Sequence, residues 1–347
     1  MTLSSRFGSL LACLSLLTAF AAPSADAAEY ELNFTTPYFE RQATVTSVFK
    51  PLIEKIAKDS KGEIEITYFA PNTINPEKEN YNSVVSGSLD IGANVTSRNP
   101  GQFAAADIVQ LPMINVSPRN AALSWWDLVQ KYPDAFPEIK NIKLLGCWTG
   151  AMNAISTAKT PIRKLEDLKG MRIATISATN IDMLKQLGAT PMQMSNADVY
   201  LALERGMIDG VITAIPPIRA QKLNDVVKYI TIMNINCTPF WCGMNKGIYE
   251  EMSPELKKVI DDNTGRAFSE AVGKCLEDSA ETDLKWIVEQ GKTEAIILDD
   301  AERARWAEQL APITEATIKK IVTAGFDESL VREMMGYYKE RVEANKQ

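Results

Sequence analysis

The chain has 347 residues, with 37 Lys and Arg against 44 Asp and Glu, a net charge of −7, and no histidine. An acidic balance of mixed sign argues against nucleic acid and anionic membranes as partners. The missing histidine removes Ser-His and Cys-His catalysis and every mixed Cys/His metal site.

Arg6, the apolar run from Leu10 to Ala22, Pro23 and the small-residue sequence Ala25-Asp26-Ala27 have the layout of a cleavable signal peptide over residues 1–27. Export to a periplasm is expected. The run is too short to span a bilayer. Cys13 sits within it, with apolar residues continuing beyond, so lipidation is not expected. Removal of 27 residues from 347 leaves 320, enough for two domains with a sizeable core. No later apolar segment approaches spanning length, so a soluble mature chain is expected.

Residues 30–38 (YELNFTTPY) alternate as a first strand, and 62–69 (GEIEITYF) as a second. Between them Val45, Val48, Phe49, Leu52, Ile53 and Ile56 recur at helical spacing, with Pro51 marking either a kink or a late start. A helix over 77–86 leads into the buried strand of GSLDIGANV. Strand and helix then alternate at 142–146, 171–176, 180–187, 196–205 and 208–213, which predicts parallel sheets covered by helices. Ser195 and Asp198 form a capping box for the helix from 196. Ser253-Pro254-Glu255 starts a helix that persists to about Gln290 across Gly265 and Gly273, long enough to be a strut between two lobes. EAIIL supplies a late strand, and helices over 300–323 and 327–344 close the chain.

No G-x-S-x-G elbow, Walker loop or dinucleotide fingerprint is present, and Asp261-Asp262 and Asp299-Asp300 read as solvated helix edges, so no enzyme is expected. No cofactor or metal is implied. Cys237 and Cys242, in CTPFWC, form a short disulfide or remain, with Cys147 and Cys275, as buried thiols.

The block LEDLKGMRIAT…LGATPMQMSNADVYLALERGMIDGVIT, together with SGSLDIG, PGQF, LPM, GCWTGAMNAIS and MNKGIYEEMSPELKKVIDDNTG, resembles the periplasmic substrate-binding proteins of TRAP transporters. The resemblance covers nearly all of the mature chain. It implies an α/β fold of two lobes joined by hinge strands, with a long helix spanning both lobes and one small molecule in the cleft. The lobes would be 28–149 plus 239–275, and 150–238 plus 276–347. It also implies a small and a large membrane subunit as partners, and a monomeric receptor. A receptor of an ABC carrier, with the same two-lobe shape, is the alternative.

Family members hold a carboxylate with an arginine at L-K-G-x-x-x-R, a position that falls on Ala174 here; a second arginine position falls on Asn153, and a family asparagine on Thr213. Arg172, near the start of its strand, is expected at the surface. Arg98, in the loop after the strand of Asp90 and Ile91, is the expected substitute, with Arg219 second. Trp148, following a strand into a glycine turn, is expected as a cleft wall. Trp241 lies on an alternating strand with one face inward, and Tyr38 ends the first strand. Thr175, Ser177, Asn153 and Thr213 are small polar groups on segments expected to line the cleft, whereas Trp125 and Trp126 are expected to pack in the core. Two lost charges and several aromatic residues favour a planar ligand, an indole-type acid or amino acid, with its carboxylate on Arg98, on cleft N–H groups, or on both. The rival is a small aliphatic carboxylate held by Arg98.

Overall fold

The computed structural model describes residues 28–98, 101–175, 178–194 and 196–346. The expected leader and the capping Ser195 lie outside the described residues. The first half contains β1 (Tyr30–Thr35), α1 (Lys50–Asp59), β2 (Ile64–Phe69), α2 (Asn80–Ser86), β3 (Ile91–Val95), α3 (Pro118–Lys131), α4 (Pro137–Lys140), β4 (Ile142–Thr149), β5 (Asn153–Thr157) and β6 (Arg172–Thr175). Then come α5 (Ala178–Gln186), β7 (Thr190–Gln193), α6 (Asn196–Glu204), β8 (Gly210–Ala214), α7 (Ile215–Ala220), β9 (Tyr229–Ile232) and β10 (Pro239–Asn245). The chain closes with α8 (Lys246–Glu251), α9 (Pro254–Asn263), α10 (Arg266–Glu289), β11 (Glu294–Ile297), α11 (Asp300–Thr323) and α12 (Glu328–Ala344). Pro51 sits in the first turn of α1, behind a π-helical stretch, Val45–Phe49, so the apolar run stays helical with proline where its missing N–H costs least.

Two sheets result, in the orders β2-β1-β3-β10-β4 and β11-β9-β5-β8-β6-β7. Strands pair in parallel except that β10 runs antiparallel to β3 and β4, and β5 antiparallel to β8 and β9. Helices cover both faces of each sheet, which is why β3 and β10 are apolar almost throughout. On one face of the first sheet Trp241 and Cys147 pack with Trp125 and Leu128 of α3 and with Met334 and Tyr338 of α12. On the other, Trp148 and Phe240 pack with Phe49, Ile260 of α9 and Phe268 of α10.

The chain crosses between the sheets from β4 to β5, from β9 to β10, and again through α10 to β11, and the first two crossings are hydrogen-bonded to each other. Gly150 N donates to Thr238 O at 2.8 Å, Asn153 N to Asn236 O at 3.0 Å, and Ile235 N to Asn153 O at 3.3 Å. With these strand directions, the carboxyl ends of β1, β3, β6 and β8 all face the crossing region. The sequence pattern expected a two-lobe α/β fold with a helix shared by both lobes. Matching that, α10 packs on α3 and β4 at one end and on α7 at the other.

Two details differ from expectation. The strut is not one helix from Ser253 to Gln290. α9 ends at Asn263, Gly265 turns the chain at φ 76°, ψ −137°, and α10 then runs for 24 residues, about 36 Å. The Gly265 N–H donates to Leu145 O at 2.7 Å, which anchors the break to the end of the first sheet's core. The second difference is α12, which the sequence pattern grouped with residues 276–347 in the second lobe. It packs on α3, and its Val331, Met334 and Tyr338 complete the first sheet's core.

Gly265 holds a backbone conformation that essentially only glycine adopts, and an added Cβ would sit 3.4 Å from the Trp126 ring. Gly265→Ala is expected to lower the unfolding free energy by about 1–3 kcal/mol, read as an earlier midpoint in urea. An unchanged midpoint would mean that the turn between α9 and α10 is relaxed.

Candidate functional site

The strand ends that meet at the crossings define the site. From the first sheet come the segment after β1 with Tyr38, the end of β3 leading to Arg98, the end of β4 with Trp148, and the start of β10 with Phe240. From the second come Asn153 at the start of β5, Ala174 and Thr175 at the end of β6, and Thr213 near the end of β8. Asn153 pairs with Ala214 and Ala154 with Thr213, so these segments share one edge of the sheet.

The aromatic side chains on the first sheet form a stack. Phe240 lies nearly parallel to Tyr38, at 5.7 Å and 22°, and to Trp148, at 5.8 Å and 13°. The Trp148 indole N–H donates to the Tyr38 hydroxyl at 3.2 Å. Trp148 is fully buried, whereas Tyr38 and Phe240 each retain 8 % exposure. Trp148 is therefore the backing of the wall, not its surface. Burial pushes the Tyr38 phenol far above its usual range, so it stays neutral. Trp241 is corrected outright: neighbouring strand residues point to opposite faces, and it packs into the other layer, stacked on Phe103 and edge-on to Tyr81, fully buried. Its indole N–H has no hydrogen-bond partner among the described residues.

Each expected arginine has an acidic partner. Arg98 Nε bonds Glu77 Oε1 at 3.2 Å with 55 % of the side chain exposed. Arg219 pairs with Asp283 at 2.7 Å and lies over the Trp286 ring at 4.4 Å, which draws it onto α10 and away from the strand ends. Arg172 pairs with Asp209 at the opposite end of β6, and that contact holds the Asp209 carboxyl below its usual range. Ala174, at the clamp position, is fully buried among Val199, Val211 and Ile230 and offers no polar group. Thr175 is also buried, Thr213 is half-buried, and Ser177 lies outside the described residues.

Asn153 joins a group that sequence reasoning missed. Its Nδ2 donates to Asn236 Oδ1 at 2.8 Å, and Asn236 Nδ2 donates to Asn180 Oδ1 at 3.0 Å. Asn236 belongs to the second crossing and Asn180 to the first turn of α5; both are only 4 % exposed. The alternating asparagines of MNINC were the available signal, but their partners come from distant parts of the chain. A separate cavity of about 610 Å³ opens between the 104–110 turns, α5 and α11, lined by Asp107, Gln110, Thr179, Asp182, Ile313 and Lys320. It contains none of the expected site residues. The strand-end edge has the convergent polar and aromatic groups, and ligands of open parallel sheets bind beyond strand carboxyl ends.

Residues 38–320 match the model of the bacterial extracellular solute-binding protein family 7. The chain belongs to that family. It is 25 % identical over 248 residues to the 2,3-diketo-L-gulonate-binding periplasmic protein YiaO of Escherichia coli (strain K12), covering 70 % of this chain and 74 % of that one. Among solved structures it is similar to a TRAP periplasmic solute binding protein from Desulfovibrio salexigens in an open complex, with TM-score 0.83, 25 % identity, and coverage of 90 % of this chain and 96 % of that one. It is also similar to a marine metagenome TRAP solute binding protein specific for aromatic acid ligands, bound to 3-hydroxybenzoate, with TM-score 0.80, 25 % identity, and coverage of 92 % and 100 %. The expected family and two-lobe fold are thus both found.

All four cysteines among the described residues are free thiols. Cys237 and Cys242 sit in different layers: Cys237 packs with Ala121 and Met152, and Cys242 with Phe240 and Met244. Burial pushes the Cys237 thiol up to about 12 and the other three upward. An aromatic disulfide reagent at pH 8 is expected to label at most the half-buried Cys275 in the folded protein and all four in denaturant, with the melting temperature indifferent to reductant. A reductant-sensitive melting temperature would show that a disulfide forms.

Proposed function

We propose that the chain is the periplasmic solute receptor of a TRAP carrier and that it captures an aromatic carboxylic acid between its two lobes for delivery to the small and large membrane subunits. The observation that carries the ligand class is the Phe240 stack at the strand ends, combined with Ala174 and Asn153 at the two family arginine positions. A site without its charged clamp loses the main attraction for dicarboxylates and sugar acids. Flat, rigid ring edges supply about 0.5–1.5 kcal/mol per aromatic contact beyond burial. The marine metagenome relative that binds 3-hydroxybenzoate supports this reading. An indole-type acid remains our preferred member of the class; the burial of Trp148 and Trp241 shifts the ring contact to Tyr38 and Phe240.

Arg98 is the arginine placed at a carboxyl strand end of the first sheet, and it provides the charge for the ligand's carboxylate. Exposed ion pairs typically contribute no more than about 1 kcal/mol, so a ligand carboxylate competes readily with Glu77. Closure of the lobes then removes water and strengthens that contact. The leader of residues 1–27 supports export to the periplasm.

Ligand-stripped protein is to be screened by thermal shift against benzoates, phenylacetate, indole-3-acetate, succinate and glucuronate. A ligand at 100 times its Kd adds about 2.7 kcal/mol of stability, and the aromatic acids are expected to give that response. Arg98→Ala should weaken the best of them at least tenfold by calorimetry, about 1.4 kcal/mol. Tight binding of succinate with every aromatic acid inert would replace this proposal with the aliphatic-carboxylate reading.

A further inference from the structure

We propose that the amide chain Asn153–Asn236–Asn180 is a specificity device, and that Asn153 Oδ1 accepts a hydrogen bond from a donor on the ligand's ring, a phenolic hydroxyl or an indole N–H. The inference rests on the aromatic-acid reading above and deepens it.

An amide carries one acceptor oxygen and two N–H donors. In the chain, the Asn236 oxygen is taken by Asn153 and one of its N–H groups by Asn180, so Asn236 is committed at both ends. Its backbone carbonyl also receives the Asn153 N–H, which ties the side-chain link to the crossing itself. Asn180 is buried in the first turn of α5 and closes the chain on the second lobe. Asn153 is the half-buried member, at the edge where β5 begins. Its Nδ2 is used inward, so its oxygen is the atom left for the cleft; no described residue donates to that oxygen. Asn236 and Asn180 are positioning residues that hold the Asn153 amide in this orientation.

The chemistry of a neutral acceptor at this place is selective. A carboxylate facing an amide oxygen is repelled, whereas a hydroxyl or ring N–H is bound. A donor-free ring leaves the oxygen buried without a partner on closure, and sites built to hydrogen-bond a substrate group reject analogues that lack it. Amide oxygen and nitrogen are interchangeable in such a chain: turning all three amides over keeps both internal hydrogen bonds and presents a donor instead. A phenolic hydroxyl can donate to one orientation and accept from the other, whereas an indole N–H suits only the oxygen and a ring ether only the N–H, so the indole and ether pairs measure the orientation.

Calorimetry on the ligand-stripped full chain compares 3-hydroxybenzoate with benzoate and with its methyl ether, 3-methoxybenzoate, and indole-3-acetate with its N-methyl analogue. The donor-bearing member of the tighter pair is expected to bind at least tenfold more tightly. Asn153→Leu should bring that ratio to within about twofold. Asn180→Leu should lower it by releasing the chain. Asn153→Asp, which keeps the acceptor, should retain the donor preference while weakening all acids through like charge. Unfolding midpoints within a few degrees of the parent establish that each variant is folded, and the ratio is taken from folded variants. Aromatic acids that bind with equal affinity in both members, or a ratio untouched by Asn153→Leu, would overturn this inference and leave the aromatic-acid reading standing. A ring methyl ether preferred over the hydroxyl would show the reversed chain and overturn it as well. Failure of every aromatic acid to bind would overturn both.

Discussion

The paired crossing of residues 150–152 with 233–238 is the constraint on which the rest of the molecule depends. Three backbone hydrogen bonds, followed by the pairing of Pro239 with Thr149, bind the two crossings into one short antiparallel ribbon between the sheets. A ribbon of this kind fixes register tightly and angle loosely. Register decides which residues of β4, β5, β8 and β10 reach the cleft, so the ring of Phe240 and the amide of Asn153 are placed by the same few hydrogen bonds. A net backbone hydrogen bond contributes only about 0.5–1.5 kcal/mol, so the crossing bends without large cost while its pairing stays intact. α10 is the other connection between the sheets. Gly273 lets α10 press on α3, where an added Cβ would lie 2.8 Å from Ala122 and from Pro118 O, and Phe268 and Val272 belong to the first core. Ala280, Leu284 and Ile287 of the same helix pack into the second. Between Gly273 and Ala280, Leu276 packs on the first core and Glu277 accepts from Ser117 Oγ at 2.7 Å, so one continuous helix ties the two cores together.

Charge is arranged to keep the cleft edge nearly neutral. Arg172, Arg219 and Arg98 each answer to an aspartate or glutamate of their own neighbourhood, and the clamp position on β6 is a buried alanine. The three differ in how replaceable the partner is. Arg172 makes two side-chain contacts to Asp209 and a third to Gly206 O, and Arg219 is also held over the Trp286 ring. Among the described residues Arg98 makes a single Nε contact, and it lies mostly in solvent. Of the three partners Glu77 is the one held least, which is what the proposed carboxylate site on Arg98 requires.

Much of this architecture was legible in the sequence, because alternation and helical periodicity report burial directly. The strands at 30–35, 64–69 and 91–95 and the helices at 300–323 and 328–344 fall where the pattern places them. The break at Gly265 was not legible: an isolated glycine within helical spacing reads as a tolerated weakness until the backbone shows a positive φ there. The place of α12 was not legible either, since its amphipathic face suits either sheet and only the contact with α3 decides. The two tryptophans show a subtler limit. Alternation says that Phe240 and Trp241 point to opposite faces, but both faces of the first sheet are covered, so the pattern carries no information about which one meets the cleft. The asparagine chain depends on residues 27 to 83 positions apart, joined only by the register of the crossing.

The stack around Phe240 also bears on how selective the site is. Its ring packs against Tyr38 and Trp148, which are hydrogen-bonded to each other, and its carbonyl accepts from the Trp125 indole at 3.0 Å across the sheet. The Tyr38 carbonyl in turn accepts from the Tyr68 hydroxyl at 2.5 Å, and the Tyr38 N–H donates to Thr36 Oγ1 at 3.1 Å. These side chains lost their rotamer freedom on folding, so little remains to be lost when a ligand arrives, which favours affinity through preorganisation. The same rigidity narrows the range of shapes accepted. Flexible, Met-rich surfaces re-pack around many partners; a ring packed against two fixed rings and held at its backbone does not. On the proposed reading, a wall of fixed aromatic edges on one lobe and a neutral amide held in one orientation on the other would select for planarity and for the position of one hydrogen-bonding group more strongly than for charge.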